Sequence, residues 1–244
     1  MELNIVELFN GISEFVFVIV SLILGLLIIL RYPKTKNRTY LLVGIVWIGI
    51  SQPWFAGVVS LFYALITNDL ISVELYLLIG LIFLPCTIFL WGAAFSDLIY
   101  KEKQNFILLI LGLWGVIFEI IFIYYLINDS SSLATLYFPL VIEYKLFIQI
   151  NLVLVISFAL LTGIIFALKT RNINNPEQKL RGAFMLIAFI TFTIGCILDT
   201  IFISDIFFIV FKRVFLIVSS FAFYFSFILP DWIKHIFLKK SNLV

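Results

Sequence analysis

The chain has 244 residues, of which 64% are hydrophobic and 12% are charged, and its formal net charge at pH 7 is +2. A soluble domain has roughly 45–50% apolar and about 25% charged residues, so this chain has too few polar groups to cover a soluble fold. The composition therefore predicts an integral membrane protein, of the cell membrane, whose surroundings are the lipid bilayer and which has no nucleic-acid partner.

Seven apolar runs approach or exceed the roughly 20 residues that a helix needs to cross the hydrocarbon core. In chain order, they are Phe15–Leu30, Tyr40–Ile66, Val73–Leu98, Phe106–Leu126, Leu146–Leu168, Ala183–Ile203 and Phe208–Leu229. Backbone groups in lipid must be paired within their own segment, and the runs do not alternate in polarity as the strands of a β-barrel do. The sequence therefore predicts an all-α bundle of seven transmembrane helices.

The charges between the runs predict the orientation of the bundle. Thirteen of the sixteen basic residues fall on one side, namely Arg31, Lys34, Lys36, Arg38, Lys101, Lys103, Lys169, Arg171, Lys179, Arg181, Lys234, Lys239 and Lys240. The other side carries mainly acids, namely Glu2, Glu7, Glu14, Asp69, Glu74, Asp129, Glu143 and Asp205. Basic loops stay in the cytoplasm, so the N-terminus is predicted outside and the C-terminus inside. Six or eight spans would break this alternation.

The two ends of the chain give further expectations. The first run follows an acidic segment and precedes a basic cluster, which favours an uncleaved first span over a signal peptide. Residues 1–230 are predicted to form the bundle, and residues 231–244 a basic cytoplasmic tail. Within the tail, Asp231–Lys240 has the pattern of an amphipathic helix lying beside anionic lipids at the cytoplasmic face. A frayed basic tail is the alternative.

Local features predict bends and contacts. Pro53 and Pro85 should kink the second and third helices. In the outer loop, Leu133–Tyr144 is apolar enough to fold back on the protein as a lid, with an ordinary interfacial loop as the alternative. In the fifth run Ala159, Gly163 and Ala167 lie at four-residue spacing, which favours close helix packing, either within the chain or in a homodimer.

Ionisable groups inside the runs indicate a candidate site, because each costs roughly 2.5–3.5 kcal/mol in a membrane and so tends to face inward and to pair. These groups and two nearby amides fall at similar depth in the outer half of the bundle. The predicted ligand-binding residues are Gln52, Glu119, Asn151, Asp199, Lys212 and Arg213. We expect a polar chamber in which Asp199 or Glu119 pairs with Lys212 or Arg213. Alternatively, both basic side chains reach the outer headgroups and Asp199 bonds to Thr residues.

Several chemistries are disfavoured. The sequence shows no nucleophile–base pair and no phosphate-binding glycine loop, and its only His is His235. Cys86 and Cys196 lie in apolar runs and are expected to be reduced. The protein is therefore predicted not to be an enzyme and to bind no metal or cofactor. A retinal protein is disfavoured as well, because residues 217–226 in the last span contain no Lys for a Schiff base.

In its overall architecture, and locally in the ending Leu229-Pro230-Asp231-Trp232, the chain resembles the seven-helix sensor modules of prokaryotic signalling proteins. The resemblance implies a receptor-like sensor with an outward-facing polar chamber for a small or lipophilic ligand. Since no kinase or cyclase domain is expected, the signal would pass through the basic loops to a separate cytoplasmic partner. Two alternatives stay open, namely a small-solute transporter with broken helices and a membrane scaffold or subunit of a larger complex.

Overall fold

The computed structural model describes residues 4–138, 141–171, 173–200 and 205–238, which form a helical bundle with one β-hairpin. The helices are α1 Ile5–Ile29, α2 Tyr32–Thr35, α3 Arg38–Ile50, α4 Gln52–Thr67, α5 Val73–Leu81, α6 Leu84–Ile99, α7 Gln104–Asn128, α8 Leu146–Arg171, α9 Pro176–Asp199, α10 Ile206–Phe227 and α11 Asp231–Leu238. The hairpin strands are β1 Ala134–Phe138 and β2 Val141–Tyr144, and they pair antiparallel between α7 and α8.

Within the described ranges, six segments are long and apolar enough to cross a membrane. They are Ile5–Thr35, Val73–Ile99, Lys101–Asn128, Leu146–Thr170, Pro176–Asp199 and Ile206–Phe227. The pair α3 and α4, which bends by 47°, makes a seventh if it is one span. The protein is therefore an integral membrane protein with six or seven spans. Ile203, where the sixth predicted run ends, lies outside the described residues.

Helix α1 begins ten residues before the predicted Phe15 because its first turn carries a capping box. The side chain of Asn4 accepts a hydrogen bond from the Glu7 backbone at 2.9 Å, and the Glu7 carboxylate accepts one from the Asn4 backbone at 2.9 Å. These reciprocal bonds satisfy backbone donors that a helix start would otherwise leave unpaired. As a consequence, Glu14 lies inside a helix and not in a polar leader.

The two predicted proline kinks are confirmed as interruptions of their helices. The second predicted run is divided at Ser51, and Pro53 lies in the first turn of α4. The third is divided between Leu81 and Leu84, and Pro85 lies in the first turn of α6. Proline has no backbone N–H to donate, so it is tolerated at a helix start and breaks a helix interior.

The main core lies between α1, α3, α4, α6, α8, α9 and α10 and is rich in aromatic rings. Trp47 stacks on Phe223 with 4.2 Å between the ring centroids, and Trp91 packs against Phe189 at 5.2 Å. All four side chains are almost completely buried. These residues form what we call the aromatic layer, together with Phe192, which contacts Trp47.

Glycine allows helices to approach closely, and two examples lie at Gly44 and Gly163. A Cβ at Gly44 on α3 would lie 2.7 Å from the carbonyl oxygen of Gly25 on α1. A Cβ at Gly163 on α8 would lie 2.3 Å from the ring of Phe189 on α9. The small-residue face of α8 therefore packs against α9 within the chain, which is the first of the two predicted uses, the other being a homodimer contact.

One end of the bundle gathers the basic connections, and we call it the basic end. Three contacts join them there: Arg38 pairs with Asp97 at 2.6 Å, Lys169 lies over the Tyr100 ring at 5.1 Å, and Lys234 pairs with Glu177 at 3.1 Å. At the opposite end, which we call the acidic end, Ser130 donates to Glu74 at 2.5 Å. The contacts thus bring basic connections together at one end of the bundle and acidic connections together at the other, as the alternation of charge along the chain predicts.

The loop after α7 folds back on the protein, as predicted, in the form of the hairpin. Leu133 and Ala134 are buried against α5 and α8, and Ile142 packs on the same core. Lys145 and Tyr137 hydrogen-bond to the Glu143 carboxylate and hold its pKa below the ordinary value. The tip residues Pro139 and Leu140 lie outside the described residues, and the role of the hairpin as a lid stays a prediction.

The predicted amphipathic helix is confirmed over Asp231–Leu238, whereas Lys239 and Lys240 lie outside the described residues. Its apolar face packs on the bundle: Ile233 is buried, and the Phe237 ring contacts Phe184 at 5.8 Å. The alternative of a frayed tail is wrong for this segment. Contact with anionic lipids stays a prediction.

Candidate functional site

The candidate site is centred on Arg213 of α10, which binds carboxylates from two other helices. Its guanidinium donates to Glu14 of α1 at 2.6 Å and to Asp199 at the end of α9 at 3.0 Å. The neighbouring Lys212 pairs with the second oxygen of Asp199 at 2.7 Å. We call these four residues the charge cluster.

The charge cluster is buried among helices, with side-chain exposures of 3% for Arg213, 9% for Glu14, 10% for Lys212 and 20% for Asp199. Its two acids and two bases cancel in formal charge. Ionised groups away from water are tolerated when they are paired and hydrogen-bonded. The predicted pairing of Asp199 is confirmed, and the alternative in which both basic side chains reach for headgroups is wrong.

Neutral side chains complete the hydrogen bonds of the charge cluster. The indole N–H of Trp54 donates to Asp199 at 2.5 Å, so a tryptophan and not a Thr binds this carboxylate. The Asn10 side-chain oxygen accepts from Arg213 at 3.2 Å. Among the described contacts, Nε of Arg213 is buried without a hydrogen-bond partner. Four helices therefore meet at this site: α1, α4, α9 and α10.

Helix periodicity places these groups together. Glu14 and Ser21 are seven residues apart on α1, as are Arg213 and Ser220 on α10, so each pair lies on one helix face. Helices α1 and α10 therefore have two polar contacts, one above the other. The first joins Glu14 and Arg213, and the second joins the hydroxyl oxygens of Ser21 and Ser220 at 3.3 Å. The α1–α10 contact is thus polar over two helical turns.

The described hydrogen bonds and ion pairs connect only three of the six predicted site residues. Gln52 donates to the carbonyl of Ile79 at 2.8 Å, where it ties the α3–α4 bend to α5. Asn151 accepts from the indole of Trp114 at 3.2 Å and donates to its own helix. Both amides are used in helix packing, and the structure does not assemble the expected six-residue chamber as one site.

Glu119 lies in a separate place, a groove of about 860 Å³ beside α6 and α7. We call it the α6–α7 groove; it is lined by Pro85, Cys86, Phe89, Leu90, Leu111, Gly112, Gly115, Val116, Glu119, Ile120, Ile123 and Tyr124. Gly112, Gly115 and Glu119 line it from one face of α7, and a Cβ at Gly115 would lie 3.1 Å from Pro85. This face does not meet Lys212 or Arg213, which are paired in the charge cluster.

Sequence reasoning missed three residues of the site: Asn10, Glu14 and Trp54. The sequence places Glu14 in the acidic segment before the first apolar run. The signal that could have placed it is the face formed by Gly11, Glu14, Val18, Ser21 and Gly25, in which small and polar residues recur every three or four positions. Nothing in the sequence distinguishes Trp54 from the other four tryptophans as a hydrogen-bond donor to Asp199.

A second polar site lies at the basic end, in a pocket of about 330 Å³ that we call the basic-end pocket. It is lined by Tyr40, Leu98, Phe166, Asn175, Glu177, Gln178, Arg181, Ser226 and Phe227. Arg181 of α9 donates to the carbonyls of Ser226 and Phe227, at 3.1 and 2.5 Å. A cation at these carbonyls complements the partial negative charge at the C-terminal end of α10.

The fold and these two polar sites define the protein as a polytopic membrane bundle with a buried, charge-balanced cluster. Comparison with protein-family models, with curated proteins and with solved structures gave no match.

Proposed function

We propose that the protein is a receptor-like membrane sensor in which the charge cluster and the basic-end pocket are the two ends of one switch. The observation that carries the proposal is that α10 belongs to both sites. Arg213 lies in the charge cluster, and the Ser226 carbonyl binds Arg181 at the basic-end pocket. Thirteen residues of helix correspond to about 20 Å, so a shift of α10 at one site is transmitted to the other.

The charge cluster supplies a chemical input. Asp199 is its most exposed member and is held by Lys212, Arg213 and Trp54. A small ligand with a carboxylate or phosphate group, arriving from the acidic end, would compete with Asp199 for the two cations. Competition of this kind changes the contacts between α9 and α10, and differential contacts are what shift a conformational equilibrium.

The aromatic layer favours a sensor over a transporter. Trp47, Phe192 and Phe223 pack in the main core between the two polar sites, and the rings are almost fully buried. A transporter needs a polar site that can open alternately to both sides. Packed rings, in contrast, transmit a displacement between the two ends without opening a path for a solute.

The buried ions favour a sensor over a scaffold. Replacing a buried ion pair by apolar residues is often neutral or stabilising, so such a pair is a costly way to hold a scaffold together. Buried ions that can exchange one partner for another are useful when the protein has to change between two conformations. With the predicted orientation, the basic-end pocket would face the cytoplasm and a signalling partner there.

The proposal is tested by measuring whether the charge cluster controls the basic end. Cys86 and Cys196 are replaced by Ala, spin labels are attached at the exposed positions Glu102 and Lys179, and the purified protein is placed in lipid nanodiscs. The distance distribution between the labels is then compared for the parent chain and Asp199→Asn. Glu143→Gln, which removes an exposed acidic-end carboxylate, is the matched control.

We expect Asp199→Asn to add a population displaced by about 1–2 Å, the usual size of helix shifts of this kind, and Glu143→Gln to leave the distribution unchanged. Lys212→Gln, which leaves both Arg213 pairs intact, provides a second variant if Asp199→Asn does not fold. A distribution identical to the parent in folded cluster variants would contradict the sensor and favour a rigid scaffold.

A further inference from the structure

The α6–α7 groove is a lipid-side feature that the proposed switch does not use. Helix α7 lies at the edge of the bundle, and Val116, Ile120 and Tyr124 along the groove are 58%, 65% and 61% exposed. The groove volume of about 860 Å³ falls within the range of ~300–1,000 Å³ typical of small-molecule sites. A molecule dissolved in the bilayer can therefore reach the groove without passing through water.

Glu119 is the only ionisable carboxyl among the residues that line this groove. Its Oε2 atom is buried and has no hydrogen-bond partner in the described part of the chain. A buried polar atom without a partner is unfavourable, so a donor brought by a ligand is favoured there. The lining of the rest of the groove is almost entirely apolar.

The depth of Glu119 restricts the donor. Nine residues separate it from Asn128, the last residue of α7, which corresponds to about 13 Å along the helix. An amine fixed at the level of the lipid headgroups lies too far away. The donor has to enter the hydrocarbon region on a molecule that is otherwise apolar.

We propose that the α6–α7 groove binds a lipophilic amine, with the amine on Glu119 and the hydrocarbon chain along Pro85, Phe89 and the two glycines. A carboxyl and an amine together carry no net charge, whichever of them holds the proton, so the pair is tolerated in lipid. When the amine holds the proton, its bond to the carboxylate is charge-assisted and thus stronger than one from a neutral alcohol. This inference is independent of the sensor proposal, because it concerns another site and another readout.

Cys86 provides the measurement. It lines the groove as an exposed free thiol, whereas Cys196 is buried. In a Cys196→Ala background, Cys86 is the sole thiol, and its rate of alkylation by monobromobimane is followed in nanodiscs. The probes are hexadecylamine, hexadecanol and palmitic acid, which share a chain and differ in the head.

We expect hexadecylamine to slow alkylation of Cys86 with an affinity about tenfold higher than that of hexadecanol, as a charge-assisted bond implies. Palmitic acid should protect least. In Glu119→Gln, the amine should lose its advantage over the alcohol when protection is expressed relative to the probe-free alkylation rate of the same variant. Glu102→Gln, an exposed carboxylate outside the groove, should behave as the parent.

Three results would overturn the proposal. Equal protection by amine and alcohol in the parent chain would mean that the groove holds any lipid chain. An amine advantage that persists in Glu119→Gln would place the amine elsewhere. Slow alkylation without any probe, together with a dimer in size-exclusion chromatography, would mean that a second copy covers the groove.

Discussion

Arg213 is the residue on which the charge cluster depends, because it alone bonds to both carboxylates. Its replacement by Gln leaves Glu14 buried without a cation, whereas Asp199 keeps Lys212. Breaking one partner out of a buried pair typically costs about 3–5 kcal/mol. We expect Arg213→Gln to lower the free energy of unfolding by an amount of this order, measured by denaturation with SDS in mixed micelles.

The control for this prediction is the double variant Glu14→Gln, Arg213→Gln, which leaves no unpaired charge. We expect it to recover part of the stability lost in Arg213→Gln, because the remaining pair of Asp199 and Lys212 is intact. A double variant that is no more stable than Arg213→Gln would show that Glu14 is not held mainly by Arg213.

At this scale the sequence predicts which groups need partners but not which partners they find. The insertion cost of a charge in lipid was enough to single out Asp199, Lys212 and Arg213. The partner Glu14 depends on how α1 docks against α10, which no local pattern specifies. Depth alone places Gln52 and Asn151 in the predicted site, and depth does not determine the direction in which a helix face points.

At the scale of elements, the crossing of α1 and α3 at Gly25 and Gly44 is the tightest backbone contact between helices that glycine permits here. A Cβ at Gly44 would meet backbone atoms at 2.7 and 3.0 Å, which cannot move aside like a flexible side chain. We expect Gly44→Ala to lower the free energy of unfolding by about 1–3 kcal/mol, the usual cost of overpacking, in the same SDS titration.

The matched control is Gly112→Ala, in which the new Cβ would lie 3.6 Å from the Phe89 ring, an ordinary contact. Alanine has the better helix propensity, so this variant should be as stable as the parent or more stable. Equal losses at Gly44 and Gly112 would mean that glycine matters for helix flexibility in general and not for the α1–α3 contact.

The helices are largely predictable from the sequence, because backbone groups in lipid have to be hydrogen-bonded within their own segment. Apolar length located the helices, and proline located both interruptions. The extension of α1 to Ile5 was not foreseen, since it depends on hydrogen bonds between Asn4 and Glu7 and not on hydrophobicity. The hairpin was foreseen only as a segment that folds back, because a short apolar loop does not reveal its strand pairing.

At the scale of the whole molecule, the number of spans depends on whether α3 and α4 cross the membrane together. The 47° bend at Ser51 is compatible with a broken span or with a re-entrant loop. Lys36 and Asp69 flank the pair. A broken span places them on opposite sides of the membrane, and a re-entrant loop places them on the same side. The side of the membrane on which each later connection lies depends on whether this pair crosses. One experiment therefore tests the number of spans and the orientation together.

We expect single-cysteine variants at Asp69 and Glu143, in a Cys86→Ala, Cys196→Ala background, to react with a membrane-impermeant maleimide in intact cells. Variants at Lys36 and Lys103 should react only after the membrane is permeabilised, because basic connections stay in the cytoplasm. All four positions are exposed in the structure, so access to the thiol depends on the side of the membrane. Reaction of Lys36 and Asp69 variants from the same side would contradict seven spans, and a complete reversal of the pattern would contradict the orientation while keeping the seven spans.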